Sequence, residues 1–402
     1  MKKLLAILLS LVMLFAIAAC ATETPATPTP ADPAPAPADP APAPADPATP
    51  ADPPPASTGN SFGVISWADG EIPLALITDY GDIDDESFNQ GSWEGLLEFA
   101  RPNGIPYEYF RPVERGSTEA NLDSISQAVS AGAQVIVTPG FLFTEAIYEA
   151  QQIWPDLTII LLDAVPAPPG GDNVIGPNTA AVLYAEQQSG FLAGYAAVID
   201  GYRNLGFVGG IAVPAVVRFG HGFVEGAEYA ASELGLGAGE VTVRYNYVGS
   251  FAPSPEAQAM AAAWFADGVE VIFAAAGGVG SSVFAAAEAS NAKAIGVDVD
   301  QGHHSATIIT SAMKDLRSSV RQMLEAAFEG TFQGGIIHMF DASNQGIGLP
   351  LNFDRFNTFN RAKYDEIFAK VAANQVAISN EPGHPNPNDI LNLTLVTVTW
   401  IA

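Results

Sequence analysis

The chain has 402 residues, with 44 Asp and Glu against 16 Lys and Arg and a formal net charge of -28 at pH 7. Such a balance excludes nucleic acid and anionic lipid or phosphate as main partners, because those require clustered Lys and Arg. Cys20 is the only cysteine, which excludes an internal disulfide.

In chain order, Lys2 and Lys3 precede an apolar run from Leu4 to Ile17 and then Ala18-Ala19-Cys20. Residues 1–19 read as a secretory signal peptide, too short and wrongly flanked for a stable transmembrane anchor. The stretch around Cys20 resembles the bacterial lipobox, which implies acylation of Cys20 and a membrane tether worth about 0.8 kcal/mol per buried methylene. Residues 20–61 repeat Pro, Ala and Asp without apolar anchors, so they read as an extended linker.

From Phe62 onward, short apolar runs alternate with helical patterns. Ile72–Tyr80, Ala133–Pro139 and Leu157–Val165 read as strands buried on both faces. Trp93, Leu96, Leu97 and Ala100 fall on one helical face. A second helix is predicted from Ser117 to about Ala131, with Gly132 as its stop. The pattern then repeats, with strands at Asn204–Gly210, Glu240–Ser250, Val269–Gly278 and Ala292–Asp300. The intervening helices begin near Phe219, Ser254-Pro255 and Ser281. The strand Ala306–Ser311 and the helix Met313–Glu329 are expected to cross back to the first domain.

This pattern predicts an α/β protein of two doubly wound parallel-sheet lobes. The expected boundaries are 62–177 with about 302–345 for lobe 1, and 178–301 with about 346–402 for lobe 2. A chain that crosses repeatedly between such lobes describes a hinged binding protein. Its ligand belongs beyond the carboxyl ends of the strands, where Asp79, Asp163, Phe251, Gly277-Gly278 and Asp298 stand.

Four ordered motifs, ITDYGDIDDESFNQGSWEG, GFVGGIAVPAVVRFGHGFVEGA, VIFAAAGGVGSSVFAAAEA and AIGVDVDQ, resemble the basic membrane protein family of bacterial lipoproteins. The resemblance covers about residues 72–349. It implies a type I periplasmic-binding-protein fold with a multi-strand hinge, a (purine) nucleoside held between the lobes, and an ABC permease and ATPase as partners. It also carries over residues. Asp79 and Phe88-Asn89-Gln90 match the first-loop motif, and Asp163 the carboxylate after the third strand. Phe251 matches an aromatic over the base, Gly277, Gly278 and Asp298 the sugar side, and Lys314 a lysine near the ribose. The stretch VVRFGHGF departs from the more acidic family pattern, and LNLTLVTVTWIA at the C-terminus has no counterpart in it.

Residue chemistry leaves several of these roles open. Phe88 can project into the cleft or fold back on its own helix as a hydrophobic staple. Asn89 and Gln90 suit a base edge or a solvated first turn. Phe251 suits a base or lobe packing, and Gly277-Gly278 a close ligand approach or ordinary turn chemistry. Asp82, Asp84, Asp85 and Glu86 read as caps and dipole partners of the following helix, and Phe219 and Trp93 as core. The spacing of DIDDE is not that of a calcium loop, and the adjacent His303 and His304 should diverge, so no metal or cofactor is expected. GSWEG places Trp93 where a nucleophilic serine would stand, and catalysis is not expected. Two other functions stay open: the same fold with another neutral ligand such as a sugar or autoinducer-like molecule, or a surface sensor or adhesin.

Overall fold

The computed structural model describes residues 60–401 apart from residue 80; the signal sequence, Cys20 and the linker lie outside them. A short antiparallel hairpin comes first, β1 (Asn60–Phe62) with β2 (Ile65–Trp67). The first lobe continues with β3 (Leu74–Ile77), α1 (Phe88–Ala100), β4 (Tyr107–Phe110), α2 (Thr118–Ser130), β5 (Val135–Pro139), α3 (Thr144–Ile153), β6 (Thr158–Leu162) and β7 (Thr179–Tyr184). The second contains α4 (Glu186–Ile199), β8 (Asn204–Gly209), α5 (Pro214–Glu233), β9 (Val241–Tyr247), α6 (Pro255–Ala266), β10 (Val271–Ala275), α7 (Val279–Ser290), β11 (Lys293–Asp298) and β12 (Ile308–Lys314). Helix α8 (Leu316–Glu329) packs on α1, and β13 (Ile337–Phe340) joins the first sheet. The chain ends with β14 (Ile347–Gly348), α9 (Arg361–Ala372) and β15 (Val396–Trp400) in the second lobe.

The two sheets run β13-β7-β6-β5-β3-β4 and β14-β12-β11-β10-β8-β9-β15. Stripped of their outer additions, both have the doubly wound order in which the second strand lies beside the first and the third to fifth follow on the other side. All pairings are parallel except β12 with β14. Their central strands are apolar on both faces because helices cover both, as VIVTP and VIFAA illustrate. In this repeat β6 and β11 are equivalent strands, so Asp163 and Asp298 end up facing each other from the two lobes.

The repeat corrects two sheet memberships. The strand expected to cross back, Ala306–Ser311, instead forms part of β12, paired with β11 in the second sheet. Conversely, Thr179–Tyr184 lies beyond the expected end of lobe 1 yet pairs with β6 in the first sheet. The physical reason is the same in both. Each sheet completes five parallel strands before the chain leaves it, so the crossings fall at Ala185, at Asp315 and within residues 341–346. The helix predicted from Met313 starts at Leu316, because Asp315 caps it by accepting from the Ser318 N–H. Helix α5 begins at Pro214 rather than near Phe219, since extended Val213 followed by proline is itself a helix start. The edge strand β4 is half exposed and carries no apolar run to mark it.

Helices α4 and α5 touch backbone to backbone. A Cβ at Gly190 would come 2.1 Å from the Phe219 carbonyl oxygen, and one at Gly222 would come 2.0 Å from that of Gln187. Only glycine permits this approach, and it sets the N-terminal turns of α5 against the cleft. The C-terminal segment adds β15 beside β9, with the Trp400 ring stacked on Tyr245. Glu228 on α5 fastens it by accepting backbone N–H bonds from Thr394, Leu395 and Val396.

Candidate functional site

A cavity of about 330 Å³ lies between the lobes at the carboxyl ends of the strands. Asp79, Phe88, Asn89, Asp163, Phe251, Gly277, Gly278, Asp298 and Lys314 all line it. Gln90 does not. Its Oε1 accepts from the Glu86 N–H and its Nε2 donates to Glu94, because one further residue along α1 turns it away from the cleft.

One end of the cavity is built by the acidic loop. Asp85 accepts the backbone N–H groups of Ser87, Asn89 and Gln90 and the Asn89 amide, so it caps α1 from just before its start. Burial pushes its carboxyl up to about 6 against those bonds. The Asn89 Nδ2 donates both to Asp85 (2.9 Å) and to Asp79 (3.0 Å). That amide is therefore committed to positioning two carboxylates. Asp79 also accepts from Gly81 and packs on Gly140, where a Cβ would sit 2.2 Å from its Oδ2. Asp82 points to Arg111 and Arg115, which hold its carboxyl below the usual range despite partial burial.

The other end is an ion cluster at the hinge. Lys314, at the end of β12, bonds Asp163 of the opposite lobe and lies 3.3 Å from Asp298 and 3.8 Å from Glu186. Behind it, the Arg218 Nε donates to the other oxygen of Glu186 at 2.6 Å. Three buried carboxylates thus face two cations. Burial raises Asp163 to about 7, with Lys314 opposing and Glu186 and Asp298 adding to the rise. Burial would raise Glu186 too, but Arg218 and Lys314 hold it low; the same carboxylates outweigh burial to keep Lys314 charged. The Asp163 Oδ1 has no hydrogen-bond partner among the described residues. Asp163 and Asp298 both have left-handed backbone, φ 59° and 65°, at the ends of equivalent strands. Aspartate tolerates that conformation, which aims both side chains into the cleft. Ser87 donates to Asp298 at 2.6 Å and so ties the N-terminus of α1 to the second lobe.

Aromatic groups supply the remaining walls. The Lys314 ammonium lies 4.5 Å from the Phe88 ring centre, so Phe88 faces the cleft and is not folded back on α1. The Phe251 ring lies over Gly210 and Gly277, where a Cβ on Gly210 would come 2.4 Å from it. Phe219, assigned to the core from its helical face, is buried and also lines the cavity, 5.2 Å from the Lys314 ammonium. Phe141, Glu186 and Arg218 are the parts the sequence reading missed. Phe141 follows the strand VIVTP and was open to the strand-end rule. Glu186 and Arg218 carry no such signal, being early residues of ordinary helices. The His303 and His304 rings do not diverge; their centres are 3.7 Å apart, and His304 pairs with Glu86 across the lobes.

Two doubly wound lobes, three crossings and a polar, aromatic cavity between the strand ends define a type I periplasmic-binding-protein architecture. Residues 72–381 match the family described as ABC transporter substrate-binding protein PnrA-like. The chain belongs to that family. Among its relatives is the ABC transporter nucleoside-binding protein BmpA of Lactococcus lactis subsp. cremoris, 29% identical over 305 residues, 70% of this chain and 82% of the relative. Basic membrane protein A1 of Borrelia garinii subsp. bavariensis is 27% identical, over 77% of this chain and 89% of its own length. The solute-binding protein of an ABC transporter system from Aeropyrum pernix K1 shares the fold, with a TM-score of 0.68 at 22% identity over 79% of this chain and 95% of that one.

Proposed function

We propose that the protein binds purine nucleosides in the interlobe cleft and delivers them, as a lipoprotein anchored through Cys20 on the extracytoplasmic face of the membrane, to an ABC permease and its ATPase. The observation that carries the reading is the pairing of aromatic walls with a carboxylate–lysine cluster in one cavity. A nucleoside is neutral and combines a flat base with a vicinal diol. Phe88 and Phe251 suit the base, and Asp79 gives its edge an acceptor. Asp163, Asp298 and Lys314 offer acceptors and a donor to sugar hydroxyls, and Gly277-Gly278 let the backbone come close. The same carboxylates repel a phosphate. The name of the Lactococcus relative agrees with this reading.

Titration calorimetry with adenosine, guanosine and inosine tests it. Micromolar or tighter binding is expected, with free nucleobases and nucleotides weaker; no heat with any of the three nucleosides would overturn it.

A further inference from the structure

A second cavity, of about 600 Å³, adjoins the first between the lobes. Phe141, Leu142 and Asp163 line both. Its wall includes Arg218, the one cation among the described residues that line it. The Arg218 side chain is 14% exposed, and its Nε is spent on Glu186. Its two terminal nitrogens make no hydrogen bond to any described residue. The buried Asp163 Oδ1, at the junction of the cavities, is likewise unpartnered. Neither the neutral base nor the diol of a nucleoside accounts for a guanidinium with two open donors beyond the sugar end.

We propose that this second cavity is a subsite for a carboxylate-bearing, amino-acid-like tail attached to the sugar end of the nucleoside. The inference rests on the nucleoside reading. The free edge of a guanidinium is a flat two-donor fork that matches one carboxylate. A phosphate dianion fits less well, because Asp163 and Glu145 share the wall and Glu186 already takes part of the single arginine's charge. An ammonium on the same tail meets Glu145, so a zwitterion balances the subsite without net charge.

Calorimetry with adenosine, S-adenosylhomocysteine and adenosine 5′-monophosphate tests the assignment. S-adenosylhomocysteine is expected to bind at least as tightly as adenosine, and the monophosphate at least tenfold more weakly. Asn173→Trp, at an exposed residue of the second cavity's wall, should weaken S-adenosylhomocysteine at least tenfold and leave adenosine within threefold. Arg218→Gln should shift the ratio of the two affinities at least tenfold toward adenosine. If adenosine binds but S-adenosylhomocysteine is tenfold weaker, or if both variants weaken the two ligands equally, the subsite is wrong and the nucleoside reading stands. If none of the three binds, both fall together.

Discussion

The acidic loop from Asp79 to Glu86 and the ion cluster around Lys314 both put carboxylates at the cleft, by opposite routes. In the loop the acids are neighbours in sequence, and most act locally: Asp85 caps α1, and Asp82 neutralises two surface arginines. In the cluster Asp163, Glu186 and Asp298 are far apart in sequence, yet all converge on one lysine. Dense charge in a sequence therefore marks a helix start more readily than a site. Sparse charge at the ends of apolar strands marks the site, because only the fold can gather it.

The largest test of that contrast is Lys314→Met. It leaves the buried Asp163 and Asp298 without their cation while Glu186 keeps Arg218, and urea unfolding should register a loss of about 3–5 kcal/mol together with loss of nucleoside binding. A loss under about 1 kcal/mol would mean the cluster is held apart without its cation. Next, Asp298→Ala should cost ribosides more than about 2 kcal/mol of affinity by calorimetry, as a charge-assisted acceptor is removed. Unchanged affinity would make Asp298 a structural anchor for Ser87.

Asp163 sharpens the comparison through pH. Folded, it keeps its proton to about pH 7; its ordinary value is 3.8. The folded chain thus binds more protons across that window, so this contribution to stability is full below pH 3.8 and is lost as pH rises to 7. Asp163→Asn should reduce the fall in stability between pH 4 and 7, by up to one linked proton in the slope; identical slopes would place the proton elsewhere in the cluster. The smallest effect belongs to the loop. Asp82→Asn breaks only partly exposed pairs, so unfolding should shift by less than about 1 kcal/mol and nucleoside affinity by less than twofold. A larger change in affinity would add Asp82 to Asp79 as a binding group of the loop.

Most of this architecture was legible without coordinates. Apolar runs such as VIVTP and VIFAA cannot face water, and their alternation with helical stripes points to parallel sheets covered on both sides. The strand-end rule then reaches Asp79, Asp163 and Asp298, because in such sheets strand ends are where the chain leaves the core. Gln90 shows the limit: adjacency to Asn89 in sequence says nothing of facing, and 100° of helix rotation sends it to Glu94. The lobe boundaries were misjudged for a related reason, since hydropathy identifies a strand but not the sheet it joins.

By itself, then, the sequence determined the two-lobe α/β class, the helix starts at Ser117 and Ser254 and the acids at the strand ends, all set by local propensity and burial. The tertiary structure alone decided that Glu186 and Arg218 back Lys314, that Phe219 is both core and cavity wall, and that β15 closes the second sheet beside β9. These are contacts across long loops, and they are chosen by which surfaces remain to be covered once the sheets have formed.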